Sequence, residues 1–109
     1  METAGRRVSP DHLSRKSRDF WLAIERAYVL EPAHIAILTL ASEALDRARQ
    51  AREILDAEGL MIEDRFSQKK PHPMIKVEKD AWSAFRLLLR ELGLDFQDAE
   101  PPRSPRLGG

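Results

Sequence analysis

The sequence contains no cysteine, so neither a disulfide nor a thiolate metal site is open to it. No apolar run approaches the ~20 residues of a membrane span. The first residues lack the apolar core of a signal peptide, and a cytoplasmic location is the expectation. Net charge is absent as well: 18 Lys and Arg balance 18 Asp and Glu, so whole-chain basicity does not demand a nucleic-acid partner. Glycine is sparse, at five residues. Gly59 and Gly93 stand singly where helices stop, which leaves no glycine-rich loop to cradle a phosphate. Ser14, Ser17, Ser42 and Ser67 sit in no nucleophile-elbow context. His12, His34 and His72 lie far apart and lack the paired spacing of a metal site. The expectation is a non-enzyme with no catalytic residue, no metal and no cofactor.

The 109 residues suit one domain, and a domain of this size is only marginally stable alone. Proline and glycine divide it into helices. Ser14 suits a helix cap, and the first helix is expected from Arg15 to Val29. Phe20, Ile24, Ala27 and Tyr28 share one face, flanked by Trp21 and Ala23, with Arg15, Arg18, Glu25 and Arg26 opposite. Pro32 suits the first turn of the second helix, which runs to Glu58. Ile37, Ala41, Ala44, Ala48, Ala51 and Leu55 step by four and three, the rhythm of a helix–helix seam. Leu38 and Leu45 widen it. At ~1.5 Å per residue this rod is roughly 40 Å long and needs partners along its length.

Residues 60–70 read as a small β-hairpin, with Leu60-Met61-Ile62 against Lys69-Lys70. Pro71-His72-Pro73 then enforces an extended lead-in to a third helix, Pro73 to Leu92. Ile75, Val77, Ala81, Trp82, Ala84, Phe85, Leu88, Leu89 and Leu92 take about half of its circumference, wider than one neighbouring helix covers. Leu94 is expected to fold back past Gly93. The fold class is therefore all-α: a helical hairpin plus a further long helix, with a short β-hairpin. Residues 1–13 read as a flexible arm, 14–94 as the helical domain, and 95–109 as a disordered Pro-rich tail.

Charge is segregated along the chain. Residues 1–18 carry five basic side chains against two acidic, residues 65–79 five against one, and residues 31–58 three against six. Such runs are usually only solvated surface. The functional alternative is that Arg6, Arg7, Arg15 and Arg18 on the arm and first helix, and Arg65, Lys69 and Lys70 near the hairpin turn, meet DNA phosphates. No helix pair has the short turn that makes helix-turn-helix compelling. Trp82 and Phe85, with Leu88 and Leu89, read either as core or as a subunit interface, where aromatics are enriched.

Several segments in order resemble one family. Leu13-Ser14 through Ser17-Arg18 to Trp21 is the first. Ala44-Leu45-Asp46-Arg47 through Ala51-Arg52-Glu53-Ile54-Leu55 to Glu58-Gly59-Leu60 is the second. Lys70-Pro71-His72-Pro73 follows, then Glu78-Lys79-Asp80-Ala81-Trp82 and Phe85 through Arg90-Glu91-Leu92-Gly93-Leu94. Over residues 13–94 this is similar to the small subunit of phage terminase, in its short all-helical form. The resemblance implies viral genome packaging in the bacterial host cytoplasm. It implies a homo-oligomeric ring that binds double-stranded phage DNA and presents it to the large terminase subunit, which holds the ATPase and nuclease. It does not identify DNA-contacting side chains. Two other readings stay open: a helical protein-interaction module without DNA binding of its own, and a small transcriptional regulator.

Overall fold

The computed structural model describes residues 7–94. The elements are α1 (Arg15–Ala27), α2 (Pro32–Glu58), β1 (Met61–Glu63), β2 (Lys69–Pro71) and α3 (Met74–Leu92). The expected all-α architecture with its small hairpin is what is observed. Arg6 and the expected tail 95–109 lie outside the described residues. Residues 7–13, assigned from sequence to the arm, contribute buried Ser9 and Leu13.

Helix α2 takes the predicted bounds. Pro32 occupies its first turn, where a missing N–H costs nothing. The Glu31 N–H is met by His34 Nδ1 at 3.1 Å, one half of a capping box. The alanine seam is buried as the spacing predicts: Ala41, Ala44, Ala48, Ala51 and Leu55, widened by Leu38 and Leu45. Most of this seam meets α3, which returns antiparallel to α2 after the β-hairpin. Alanines let the two backbones approach closely without a helix-propensity cost.

Helix α1 packs antiparallel on the first half of α2. Its rotation differs from the sequence expectation. The buried positions are Ser17, Trp21 and Glu25, while Phe20, Ile24 and Tyr28 sit half-buried at the edge. The cause is a clasp at its start. Asp46 of α2 accepts the Ser14 N–H at 2.8 Å, the Ser14 hydroxyl, and the Ser17 hydroxyl at 2.5 Å. That turns Trp21 fully inward, where its indole N–H reaches Thr39 Oγ1 at 3.1 Å. Glu25, expected on the polar face, is buried and accepts the Arg7 backbone N–H at 3.2 Å. The helix stops at Ala27, two residues short of the expected Val29. Leu30 must reach the core, and the residue before Pro32 is held extended.

Leu13, Trp21, Leu30, Leu38 and Leu92 form the central cluster, with Phe20, Ile24, Tyr28, Ile35, Ile37 and Leu94 packed around it. All three helices contribute, and Leu94 does fold back beyond the left-handed Gly93 (φ 72°).

The hairpin is built from its turn outward. Asp64 Oδ1 accepts the backbone N–H groups of Phe66 (2.8 Å) and Gln68 (3.0 Å), an Asx-type turn. Ser67 takes the positive φ of 63° that closes the loop. The pairing is antiparallel, with Ile62 opposite Lys70. His72 locks the base of the hairpin to both long helices. Its N–H donates to the Leu60 carbonyl at 2.7 Å, extending the ladder. Its Nδ1 accepts the Met74 N–H at 3.0 Å, capping α3. The proton must then sit on Nε2, which donates to Glu58 Oε1 at 2.7 Å.

Two outcomes follow from these contacts. His72→Ala should destabilise the protein by about 1–3 kcal/mol through the lost cap and anchor. Hydrogen exchange should quicken in the hairpin and first turn of α3 and leave α1 protected; uniform loosening would contradict this. For Asp46, burial raises the carboxyl's pKa. The hydrogen bonds from Ser14 and Ser17, with His12 nearby, outweigh that and hold it below the ordinary carboxylate value. A depressed native pKa means the clasp stabilises at neutral pH, and that stability is lost as pH falls through the depressed value. Asp46→Ala should therefore cost about 1 kcal/mol at pH 7, with the gap to wild type narrowing as pH falls below the ordinary carboxylate range. A gap that does not change with pH there would refute the clasp.

Candidate nucleic-acid and assembly surfaces

The described basic residues singled out from the sequence fall into two groups. In the first, Arg15 and Arg18 lie at the start of α1 and Arg7 lies against its far end, at Glu25 and Leu30. In the second, Arg65, Lys69 and Lys70 lie on the hairpin. The start of α1 is anchored near Asp46 and the hairpin lies beyond Glu58, so about 18 Å of α2 separates those two places. They do not form one patch within a protomer.

The two groups also differ in what their charges do. Arg18 is half-buried, and its Nη2 donates to the carbonyls of Asp11 (3.3 Å) and Leu13 (3.0 Å). It ties down the turn that precedes α1. Arg7 donates from Nη1 to the Leu30 carbonyl at 3.4 Å. Both guanidinium groups thus serve the fold, which the run of basic residues alone does not reveal. Arg15 is exposed. On the hairpin all three cations are exposed. Lys69 and Lys70 are adjacent on β2 and point to opposite faces. The Arg65 guanidinium lies 5.2 Å from the centroid of the Phe66 ring, and Phe66 itself is 70% exposed. The turn therefore presents a cation and an aromatic ring together, on a loop stiffened by Asp64.

The candidate interface residues on α3 are partly covered within the chain. Phe85 packs on Phe20 of α1 (centroids 5.5 Å apart) and edge-on to Trp82 (5.8 Å). The Trp82 indole N–H donates to Glu78 Oε2 at 3.4 Å. Leu88 and Leu89 are half-buried. Large apolar side chains left open include Leu40 and Leu87, Ile54 and Ile75, and Leu60 and Met61 at the hairpin base. Glu78 also joins the two long helices. Arg52 of α2 donates to it twice, at 2.7 and 3.0 Å, and once to Asp56 at 3.2 Å. The forked Arg52 contact lowers the pKa of Glu78, and Glu78 raises that of Arg52. Residues 26 apart in sequence carry no local signal of such a pairing.

Each histidine has a structural task. His12 Nε2 lies 2.7 Å from Glu43 Oε2, while His34 and His72 serve helix starts. The Ser14 and Ser17 hydroxyls donate to Asp46, not to a histidine. Among the described residues no group of three or more His, Asp or Glu is placed to hold a metal. No described helix is long and apolar enough to cross a membrane.

Comparison with known proteins places these surfaces in a family. A family model described as phage terminase, small subunit, matches residues 18–100, from within α1 through α2, the hairpin and α3. No curated protein and no solved structure gives a match. The chain belongs to the phage terminase small-subunit family.

Proposed function

We propose that this protein is the non-enzymatic adaptor of a genome-packaging machine, working in the cytoplasm of a bacterial host. It assembles with copies of itself into a ring, binds double-stranded phage DNA, and presents that DNA to the large terminase subunit. The observation that carries this reading is the family match over residues 18–100. The large subunit supplies ATP hydrolysis and DNA cleavage, and this chain supplies position.

The surfaces support each part. Open apolar side chains such as Leu40, Leu87, Leu60 and Met61 offer material for contacts between copies, with the half-buried Trp82, Phe85, Leu88 and Leu89 beside them. A heterologous contact that closes on itself gives a ring. The exposed cations Arg15, Arg65, Lys69 and Lys70 offer phosphate contacts with little sequence preference, and Arg6 would add to them. Each protomer brings few such contacts, so a ring would gain its affinity by avidity. Arg7 and Arg18, engaged with backbone carbonyls, contribute little. That engagement favours the second reading to this extent: with Arg7 and Arg18 tied to the fold and zero net charge, a lone protomer would hold DNA poorly, and the protein would then serve the large subunit alone.

Native mass spectrometry should show a closed oligomer larger than a dimer, and a monomer at micromolar concentration would contradict the ring. Binding to duplex DNA should weaken with salt at a log–log slope of about −0.9 per phosphate neutralised. Lys69→Ala with Lys70→Ala should flatten that slope with the mass unchanged. Arg18→Ala should instead lower stability and leave the slope alone. An intact oligomer with no salt-dependent DNA binding at low ionic strength would leave only the adaptor for the large subunit.

A further inference from the structure

Helix α3 sorts its charges. It carries four cations, Lys76, Lys79, Arg86 and Arg90, and three acids, Glu78, Asp80 and Glu91. Glu78 is turned inward and held by Arg52 and Trp82. Asp80 is held by Lys76 at 2.6 Å. Lys79, Arg86 and Arg90 have no hydrogen-bond or ion-pair partner for their side chains among the described residues, and all three are exposed. At 3.6 residues per turn, positions 79, 83, 86 and 90 fall within an arc of about 60°. That arc lies opposite the buried Ala81 and Leu92. The outermost line of the helix is therefore Lys79, Ser83, Arg86 and Arg90, and Glu91 lies about 100° round from Arg90.

We propose that this stripe is a DNA-phosphate track, separate from the hairpin cations. The inference rests on the DNA-binding reading above and assigns it to residues whose sequence spacing, spread over three turns, hides their alignment. Along the axis the cations stand about 10 Å and about 6 Å apart. Those intervals are close to three and two nucleotide rises of about 3.4 Å measured along the duplex axis, so the match applies to a helix laid parallel to that axis. Ser83 lies between them with a hydroxyl that can donate to phosphate.

A second copy of the chain is the other candidate occupant, through the acidic side of α2. Most of those acids are already used at home: Glu43 by His12, Asp46 by Ser14 and Ser17, Asp56 by Arg52, and Glu58 by His72. The exposed acids that remain, such as Asp19, Glu53 and Glu63, are scattered over three elements, whereas DNA presents negative charge along the whole length of the stripe.

The test is the full-length Lys79→Gln, Arg86→Gln, Arg90→Gln variant, titrated with salt against a 30-base-pair duplex probe of about that length. Glutamine keeps the helix, so helicity and native mass should match wild type. If each cation meets one phosphate, the slope should become shallower by about 2.7 per engaged protomer. Wild type should then lose about 40-fold more affinity than the variant between 50 and 200 mM salt. Ser83→Glu, which places an acid within the stripe, should weaken binding without changing mass. An unchanged slope in the triple variant, while Lys69→Ala with Lys70→Ala flattens it, would overturn the track and leave DNA binding by the hairpin standing. A fall in oligomer mass would make the stripe an intersubunit contact instead. If wild type itself shows no salt-dependent binding, the DNA reading fails and the track with it.

Discussion

Helix α2 must be covered, and the rest of the molecule is arranged to cover it. It is 27 residues long, and one side is apolar from Leu38 to Leu55. No single short helix can shield a rod about 40 Å long. Helix α3 takes the alanine seam, and α1 closes over the first half. Each buried leucine contributes about 1.5–3 kcal/mol. The alanines contribute less area, and instead let the helices approach closely. The exposed Arg52–Glu78 fork adds orientation more than stability, as surface ion pairs generally do. The far end of α2 is left to α3 and the hairpin, which explains why His72 makes three separate connections there.

Much of this was legible in the sequence, for identifiable reasons. Pro32 and Gly59 bracket α2, and its four-three rhythm is unbroken, so bounds and buried face both followed. The hairpin was legible within a residue because Asp64 to Gln68 is polar between two short strands. Rotation of α1 was not. Phe20 through Ile24 is a run of five apolar residues, so periodicity alone permits more than one inward face. Asp46, 29 residues beyond Ser17, decides among them. The same kind of distant contact engages Glu25, 18 residues from Arg7. Long-range hydrogen bonds of this sort leave no local trace, and the shorter contacts of Arg18 with the turn before α1 depend on a backbone path that periodicity does not give. The candidate DNA residues were therefore readable as charges, while the structure was needed to separate those that hold the fold from those that face outward.

Among the described residues the histidines cap and clamp, Ser14 and Ser17 serve Asp46, and Glu43, Asp56, Glu58, Glu78 and Asp80 accept from neighbouring side chains. The described surface also carries cations without a partner and several open apolar side chains. Those two features suit an assembly that holds DNA and leaves the reaction to another subunit. In a ring, a modest surface on each copy is multiplied around the circle, so a protein of zero net charge can still grip a polyanion.

The central claim is that this protein bridges DNA and the large terminase subunit. The most direct measurement is recovery of the large subunit on immobilised duplex DNA, with and without this protein, across a salt series. The account predicts that recovery rises when the protein is added. It also predicts that the added fraction is released by salt in parallel with this protein's own release from DNA. Equal recovery of the large subunit in its absence, at every salt concentration, would contradict the account.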